Sequence, residues 1–276
     1  LRIQEPQGVS PGSRFAFGLA PVRDDEILLV GGVDKYYKYL KGTWIYSAKS
    51  NAWRNAALGS SMPYMKDVEV AKLNHTHILL FGGRFAARSF HYSDARSTGE
   101  LRNTTWLYDC HADAWTVLDV VAGPSGRTGH RIVPTDLGPF LFGGSDGKRN
   151  PEHMNDAWLF SGNAWQQVPL QKPWPPKISS MSMASNGTHV ILNGGKGDGT
   201  DFIDTWVFTV SALSWNRIST GNVGESTEKG RMNFFGSNFF RMGVNLRSPF
   251  RSPSSESKSV FVKLVGNEWK AMDIGP

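Results

Sequence analysis

The chain contains a single cysteine, Cys110, so no disulfide can form within it. Cys110 stands in the turn-like stretch "YDCHAD", where a partly exposed free thiol is expected. Its neighbour His111 would point to the opposite side of an extended chain and is not placed to activate it. No apolar run approaches the ~18 residues of a membrane-spanning helix. Residues 1–20 also lack the apolar centre of a signal peptide. The formal net charge of +6 mildly favours acidic partners, but Lys and Arg are scattered and no basic run exceeds two residues. Nucleic-acid binding is therefore disfavoured. The motifs GxSxG, P-loop, HExxH and CxxC are all missing, which removes the local signatures of the chemistry that depends on them. His75 and His77 alternate in "NHTH" without a third ligand nearby, and "GDGTDFID" (197–204) lacks the spaced glutamate of a calcium loop. No catalytic residue, metal or cofactor is assigned.

What the chain does have is glycine and tryptophan, 30 and 10 residues respectively, arranged periodically. Glycine pairs Gly31-Gly32, Gly82-Gly83, Gly143-Gly144 and Gly194-Gly195 each end an apolar run and recur at intervals of 51, 61 and 51. Each pair is followed by two spaced aromatic positions: Trp44 and Trp53, Trp106 and Trp115, Trp158 and Trp165, Trp206 and Trp215. A fifth unit, "SVFVKLVGNEWKAM", keeps Trp269 but has Val262 in place of the first Trp and no glycine pair near Met242-Gly243. Short segments rich in aromatic and β-branched residues, cut by Asn, Gly, Asp and Pro, predict four antiparallel strands per unit. Such a sheet cannot bury both faces alone and needs neighbours to cover it. A glycine pair lets backbone approach a large ring closely, so the pairs and the indoles are expected to interlock between units.

This pattern resembles the kelch-repeat family, whose unit carries a glycine doublet followed by a spaced Trp pair. "GRTGHR" (126–131) is also similar to the family's Arg-x-Gly-His approach to the first strand, with His130 structural rather than basic in role. The resemblance implies an all-β propeller of six or seven blades. About five four-stranded blades are visible here, at approximately 14–56, 64–118, 127–168, 177–218 and 231–274, within a single domain over 1–276. Residues 1–10 align with the last strand of a unit whose other strands are not in the sequence. The chain also opens on Leu1 rather than Met. A fragment of a longer propeller is thus expected, with a five-bladed ring as the alternative.

Alternation of turns places the long second-to-third connections together on one face: 33–42, 84–102, 145–154, 196–204 and about 244–257. That face carries Lys35, Tyr36, Tyr37, Lys38, Tyr39 and Lys41, then Arg84, Arg88, His91, Tyr92, Arg96 and Arg102, then Arg247 and Arg251. Arginine and tyrosine anchor interfaces, and arginine forks suit carboxylate or phosphate. Solvated polar loops, neutralised by Asp34, Asp94 and Glu100, are the competing reading. The expected function is a non-catalytic scaffold or adaptor that binds another protein, with an acidic peptide as the sharper form. A carbohydrate-acting propeller enzyme and an extracellular adhesion module are the alternatives. Sequons at Asn74, Asn103 and Asn186 leave an extracellular setting open, while an intracellular one is slightly favoured.

Overall fold

Short runs of aromatic and β-branched residues, some alternating with polar ones and some continuously apolar, produce strands throughout. The computed structural model describes residues 6, 8–59, 62–87, 99–198, 201–218, 231–235, 238–244, 259–265 and 268–271, and its regular elements are all β-strands. They divide between two units, residues 1–128 with 160–166 and residues 129–159 with 167–276. Of the segment 1–10, residues 1–5 and 7 lie outside the described residues, as do Gly266 and Asn267.

In the first unit, β1 (Gly18–Arg23), β2 (Glu26–Val30), β3 (Thr43–Ser47) and β4 (Ala52–Ala56) pair antiparallel in chain order. After β5 (Tyr64–Lys66) the next sheet combines β6 (Glu69–Lys72), β7 (His77–Phe81), β10 (Thr105–Asp109) and β11 (Ala114–Leu118). Between β7 and β10 the chain forms β8 (Arg84–Ala86) and β9 (Glu100–Leu101), which join β5 in a three-stranded sheet. The insert therefore begins and ends in strand, and is not the simple loop its sequence predicts.

The third sheet is β12 (Arg131–Val133), β13 (Phe140–Ser145), β14 (His153–Ser161) and β15 (Ala164–Gln167). In the second unit follow β16 (Ser182–Ser185), β17 (His189–Lys196), β18 (Asp201–Thr209) and β19 (Ser214–Ile218). The last sheet is β20 (Arg231–Phe235), β21 (Asn238–Val244), β22 (Ser259–Val265) and β23 (Glu268–Ala271). Trp269 stands in β23 opposite Leu264, and its side chain lies outside the described residues. The all-β reading and the four-stranded unit are borne out by these sheets.

Each sheet buries a face against its neighbour within a unit. Ala20, Leu28, Val30 and Ile45 of the first sheet share one core with Val70, Ile78, Leu80, Tyr108 and Trp115 of the second. In the second unit Phe140, Phe142 and Ala157 share a core with Val190, Leu192, Phe208 and Trp215. Cys110 belongs to the first core and is only 6% exposed, which corrects the expectation of a partly exposed thiol. It follows the end of β10 and turns inward, and burial pushes its thiol pKa up, away from reactivity.

The glycine pairs also work differently from the expectation. All four take left-handed φ, from 62° at Gly143 to 110° at Gly195. What they approach is backbone and methionine side chain, not indole. A Cβ on Gly31 would lie 2.8 Å from the carbonyl oxygen of Met65, and one on Gly143 would lie 2.6 Å from that of Ile178. The second glycine then donates across the seam: Gly32 N to Met65 O at 2.8 Å, Gly83 N to Arg127 O at 2.8 Å, Gly144 N to Ile178 O at 2.9 Å. The doublet is thus a hydrogen-bonding joint to the lead-in segment of the following sheet.

The indoles make a second joint. Trp115 Nε1 donates to Thr43 Oγ1 at 2.7 Å, and Trp165 Nε1 donates to Thr105 Oγ1 at 2.9 Å, both buried. Both of these fourth-strand tryptophans therefore reach the threonine that opens the third strand of the preceding sheet. By the same register Trp215 faces Ala157, which has no hydroxyl, and its buried indole Nε1 has no hydrogen-bond partner. The surroundings match: Phe81 meets Trp165 and Phe142 meets Trp215, each at 5.2 Å between ring centroids. Ala157→Thr should restore the missing acceptor and stabilise the protein by about 1 kcal/mol. A thermal melt that falls instead of rising would show that the site has no room for the hydroxyl.

Candidate functional site

The long connections of the first unit are stitched into a defined surface. After Gly32 the chain forms antiparallel bridges Val33 to Phe15 and Val33 to Tyr39, and Leu40 then bridges to Met65 at the centre of β5. Tyr64 and Lys66 pair in turn with Ala86 and Arg84 of β8. The loop tip is fixed by Asp34, whose Oδ1 accepts from Tyr36 N at 2.8 Å and Lys38 N at 2.9 Å. Asp34 N donates to Lys38 O, and Tyr37 N donates to Asp34 O.

This tip holds Tyr37 at a φ of 60°, a left-handed conformation that a bulky aromatic residue rarely adopts. Strain of that kind persists where surrounding structure enforces it, and it concentrates at functional positions. Its result here is exposure. Tyr36 is 56% exposed, Tyr37 50%, and Phe15, which meets Tyr37 edge-on at 5.4 Å, is 46% exposed. Lys35 Nζ lies 5.0 Å from the Tyr36 ring centroid and Lys41 Nζ lies 5.4 Å from that of Tyr64. Among the described residues no carboxylate stands in ion-pair range of Lys35, Lys38 or Lys41. Asp34 Oδ1 serves the backbone of the tip, and Asp94 lies outside the described residues.

Other residues of the expected surface divide sharply. Tyr39 is 1% exposed and packs with Val33 and Ala86, so it supports the surface from beneath. Lys66 Nζ lies 5.5 Å from the Tyr39 ring centroid and 3.4 Å from Asp67 Oδ2. Arg84 donates to the carbonyl of Gly99 at 3.0 Å, where it closes the base of the insert. Arg102 pairs with Glu100. Arg88, His91, Tyr92, Arg96, Arg247 and Arg251 lie outside the described residues. Phe15 escapes notice in the sequence because it reads as an ordinary first-strand residue; only its bridge to Val33 carries it onto the surface.

The remaining polar positions are structural. His130 is fully buried. His77 stands 3.9 Å from Asp109, and among the described residues no group of three or more His, Cys, Asp or Glu is arranged to hold a metal. Asn74 and Asn186 cap equivalent turns, each accepting on Oδ1 from the backbone N–H of the histidine three residues on. No helix among the described residues is long and apolar enough to cross a membrane.

Comparison with known proteins places this architecture. Residues 92–245, more than half of the chain, match the KLHDC2/KLHL20/DRC7 Kelch-repeats domain. An F-box/kelch-repeat protein of Arabidopsis thaliana is 25% identical over 212 residues, covering 68% of this chain and 40% of its own length. Tip elongation aberrant protein 3 of Schizosaccharomyces pombe is 26% identical over 175 residues, or 51% of this chain and 15% of its own length. Kelch domain-containing protein 10 of Xenopus tropicalis is 26% identical over 110 residues, covering 35% of this chain and 27% of its own length. The chain thus spans less than half the length of each of these relatives. Kelch-repeat domains commonly bind proteins and are mostly non-catalytic. With its glycine doublets, its indoles and its four-stranded sheets in the pattern of that domain, the chain belongs to the kelch-repeat family.

Proposed function

We propose that this chain is a non-catalytic recognition scaffold, and that its first two blades bind an acidic segment of another protein on the surface of Phe15, Tyr36 and Tyr37. Lys35, Lys38 and Lys41 supply the charge. The observation that carries this reading is the tip at residues 34–38, where Tyr37 is held in a left-handed conformation and half exposed beside lysines that have no carboxylate in ion-pair range among the described residues. Aromatic side chains with few rotatable bonds, already fixed by backbone bridges, lose little entropy on binding. Exposed ammonium groups select for negative charge and speed encounter.

The test is fluorescence anisotropy with labelled peptides of equal length, one set rich in Asp, Glu and aromatic residues and one rich in Lys. The acidic set is expected to bind, and to weaken as salt is raised through the range in which surface charge is screened. Combining Tyr37→Ala with Lys35→Glu and Lys38→Glu should reduce affinity about 30-fold, corresponding to roughly 2 kcal/mol at an interface anchor. Melting temperature should stay unchanged, since these side chains are exposed. Equal binding of acidic and basic peptides would overturn the acidic assignment, and indifference to the triple substitution would overturn the surface.

A further inference from the structure

The tips of two long connections are closed by one device. Asp34 and Asp146 each stand two positions after a glycine pair. Asp34 N donates to Lys38 O at 3.1 Å, and Lys38 N returns a bond to Asp34 Oδ1 at 2.9 Å. Asp146 N donates to Glu152 O at 3.2 Å, and Glu152 N returns a bond to Asp146 Oδ1 at 3.0 Å. In both tips Oδ1 also accepts from the N–H two residues on, that of Tyr36 at 2.8 Å and that of Lys148 at 3.3 Å. Loops of unequal length are thus closed by the same set of bonds. All of them use the backbone or Oδ1, and they leave Oδ2 for another donor.

The two tips differ at Oδ2. At Asp146 it meets the ammonium of Lys148 at 2.7 Å, and that bond holds the Asp146 carboxyl below the usual carboxylate range. The residue at the corresponding position of the first tip is Tyr36, which has no cation to offer. Its neighbour Lys35 lies over the Tyr36 ring, 5.0 Å from the centroid. Among the described residues no lysine or arginine stands in ion-pair range of Asp34. A carboxylate whose first oxygen is fixed by the tip backbone is a preorganised acceptor for a cation that its own loop does not supply.

We propose that Asp34 determines the specificity of the Tyr36 and Tyr37 surface: its Oδ2 accepts from one basic side chain of the partner, in the place that Lys148 takes at Asp146. The inference rests on the acidic-segment reading above and sharpens it. The segment recognised is acidic where it faces Lys35, Lys38 and Lys41, and carries a lysine or arginine where it faces Asp34. A uniformly acidic segment would set a carboxylate against Asp34 and lose affinity, because like charges brought together across an interface select against a partner. Oδ1 keeps its separate task of holding the tip.

The experiment uses a labelled peptide rich in Asp, Glu and aromatic residues, and a series in which arginine replaces one of its residues at a time, with binding read by fluorescence anisotropy at low salt. On the unaltered chain at least one arginine peptide should bind about threefold more tightly than the parent, as an exposed ion pair allows. Asp34→Asn keeps an acceptor at Oδ1 and removes the charge. It should abolish that advantage and tighten binding of the parent by about threefold. Asp34→Ala removes the same charge and the acceptor with it. Every peptide should bind it about tenfold more weakly than Asp34→Asn, and the amides of Tyr36 and Lys38 should exchange faster. An arginine advantage that persists in Asp34→Asn, or that no peptide shows on the unaltered chain, would overturn the inference. Exchange at Tyr36 and Lys38 as slow in Asp34→Ala as in Asp34→Asn would refute the tip device. The surface reading fails separately, if the unaltered chain binds neither the parent nor any member of the series.

Discussion

Replacing Gly83 with alanine lowers stability by about 4 kcal/mol or more, the range reserved for substitutions that force backbone and core to move. Gly83 has a φ of 85°, where any Cβ is strained. The added methyl would stand 2.6 Å from the carbonyl oxygen of Lys66, 2.7 Å from Val68 Cγ1 and 2.8 Å from Val68 N. Two of those atoms are backbone and cannot rotate away. Movement to relieve the overlap also strains the bond from Gly83 N to Arg127 O, which joins one sheet to the lead-in of the next. Gly162→Ala is the control, because Gly162 has a similar φ of 58° but open space around its Cβ direction. It should cost only the left-handed backbone penalty, about 1 kcal/mol. Thermal melts followed by circular dichroism separate the two, at about 10 °C or more against a few degrees. If Gly83→Ala melts no lower than Gly162→Ala, the doublet is a matter of local conformation alone and its role as a joint is wrong.

Thr105→Val should cost about 2 kcal/mol, although valine matches threonine in shape. Thr105 is 1% exposed and Trp165 5%, so water cannot replace the lost acceptor of the Trp165 indole N–H. A buried donor without a partner incurs its full desolvation penalty. Thr105→Ser keeps the hydroxyl and should recover most of the loss, leaving only the cost of the missing methyl, about 1 kcal/mol. A valine variant as stable as the serine one would show the bond to be incidental. Ala157→Thr is the same experiment in reverse, performed on the seam where the hydroxyl is naturally missing.

The sequence made the strands legible because their signal is local. Apolar runs ending in glycine pairs, then spaced aromatic residues, place β2, β3 and β4 and their later counterparts within a residue or two. The function of the glycines was not legible, since φ and the approaching carbonyls of Met65 or Ile178 arise from residues more than thirty positions away. The same limit applies to the surface. Tyr36, Tyr37 and Tyr39 look alike in "DKYYKYLK", yet the bridge from Val33 to Tyr39 folds one ring under and leaves two outside. Arg84 has the composition of an interface anchor but meets a carbonyl of its own insert. Cys110 reads as a turn residue, and its burial depends on the turn curling it back onto the core of two sheets. Charge was legible as a tendency. The capping role of Asp34, whose Oδ1 accepts from the backbone of Tyr36 and Lys38, was not legible at all.

The hydroxyl-to-indole bonds have a direction along the chain. In each, the acceptor belongs to the earlier sheet and the donor to the later one: Thr43 precedes Trp115, and Thr105 precedes Trp165. During synthesis the threonine therefore leaves the ribosome before the tryptophan that needs it. At these two seams the later sheet meets an acceptor already synthesised, so the ribosome's order of delivery matches an assembly that proceeds from the amino-terminal side.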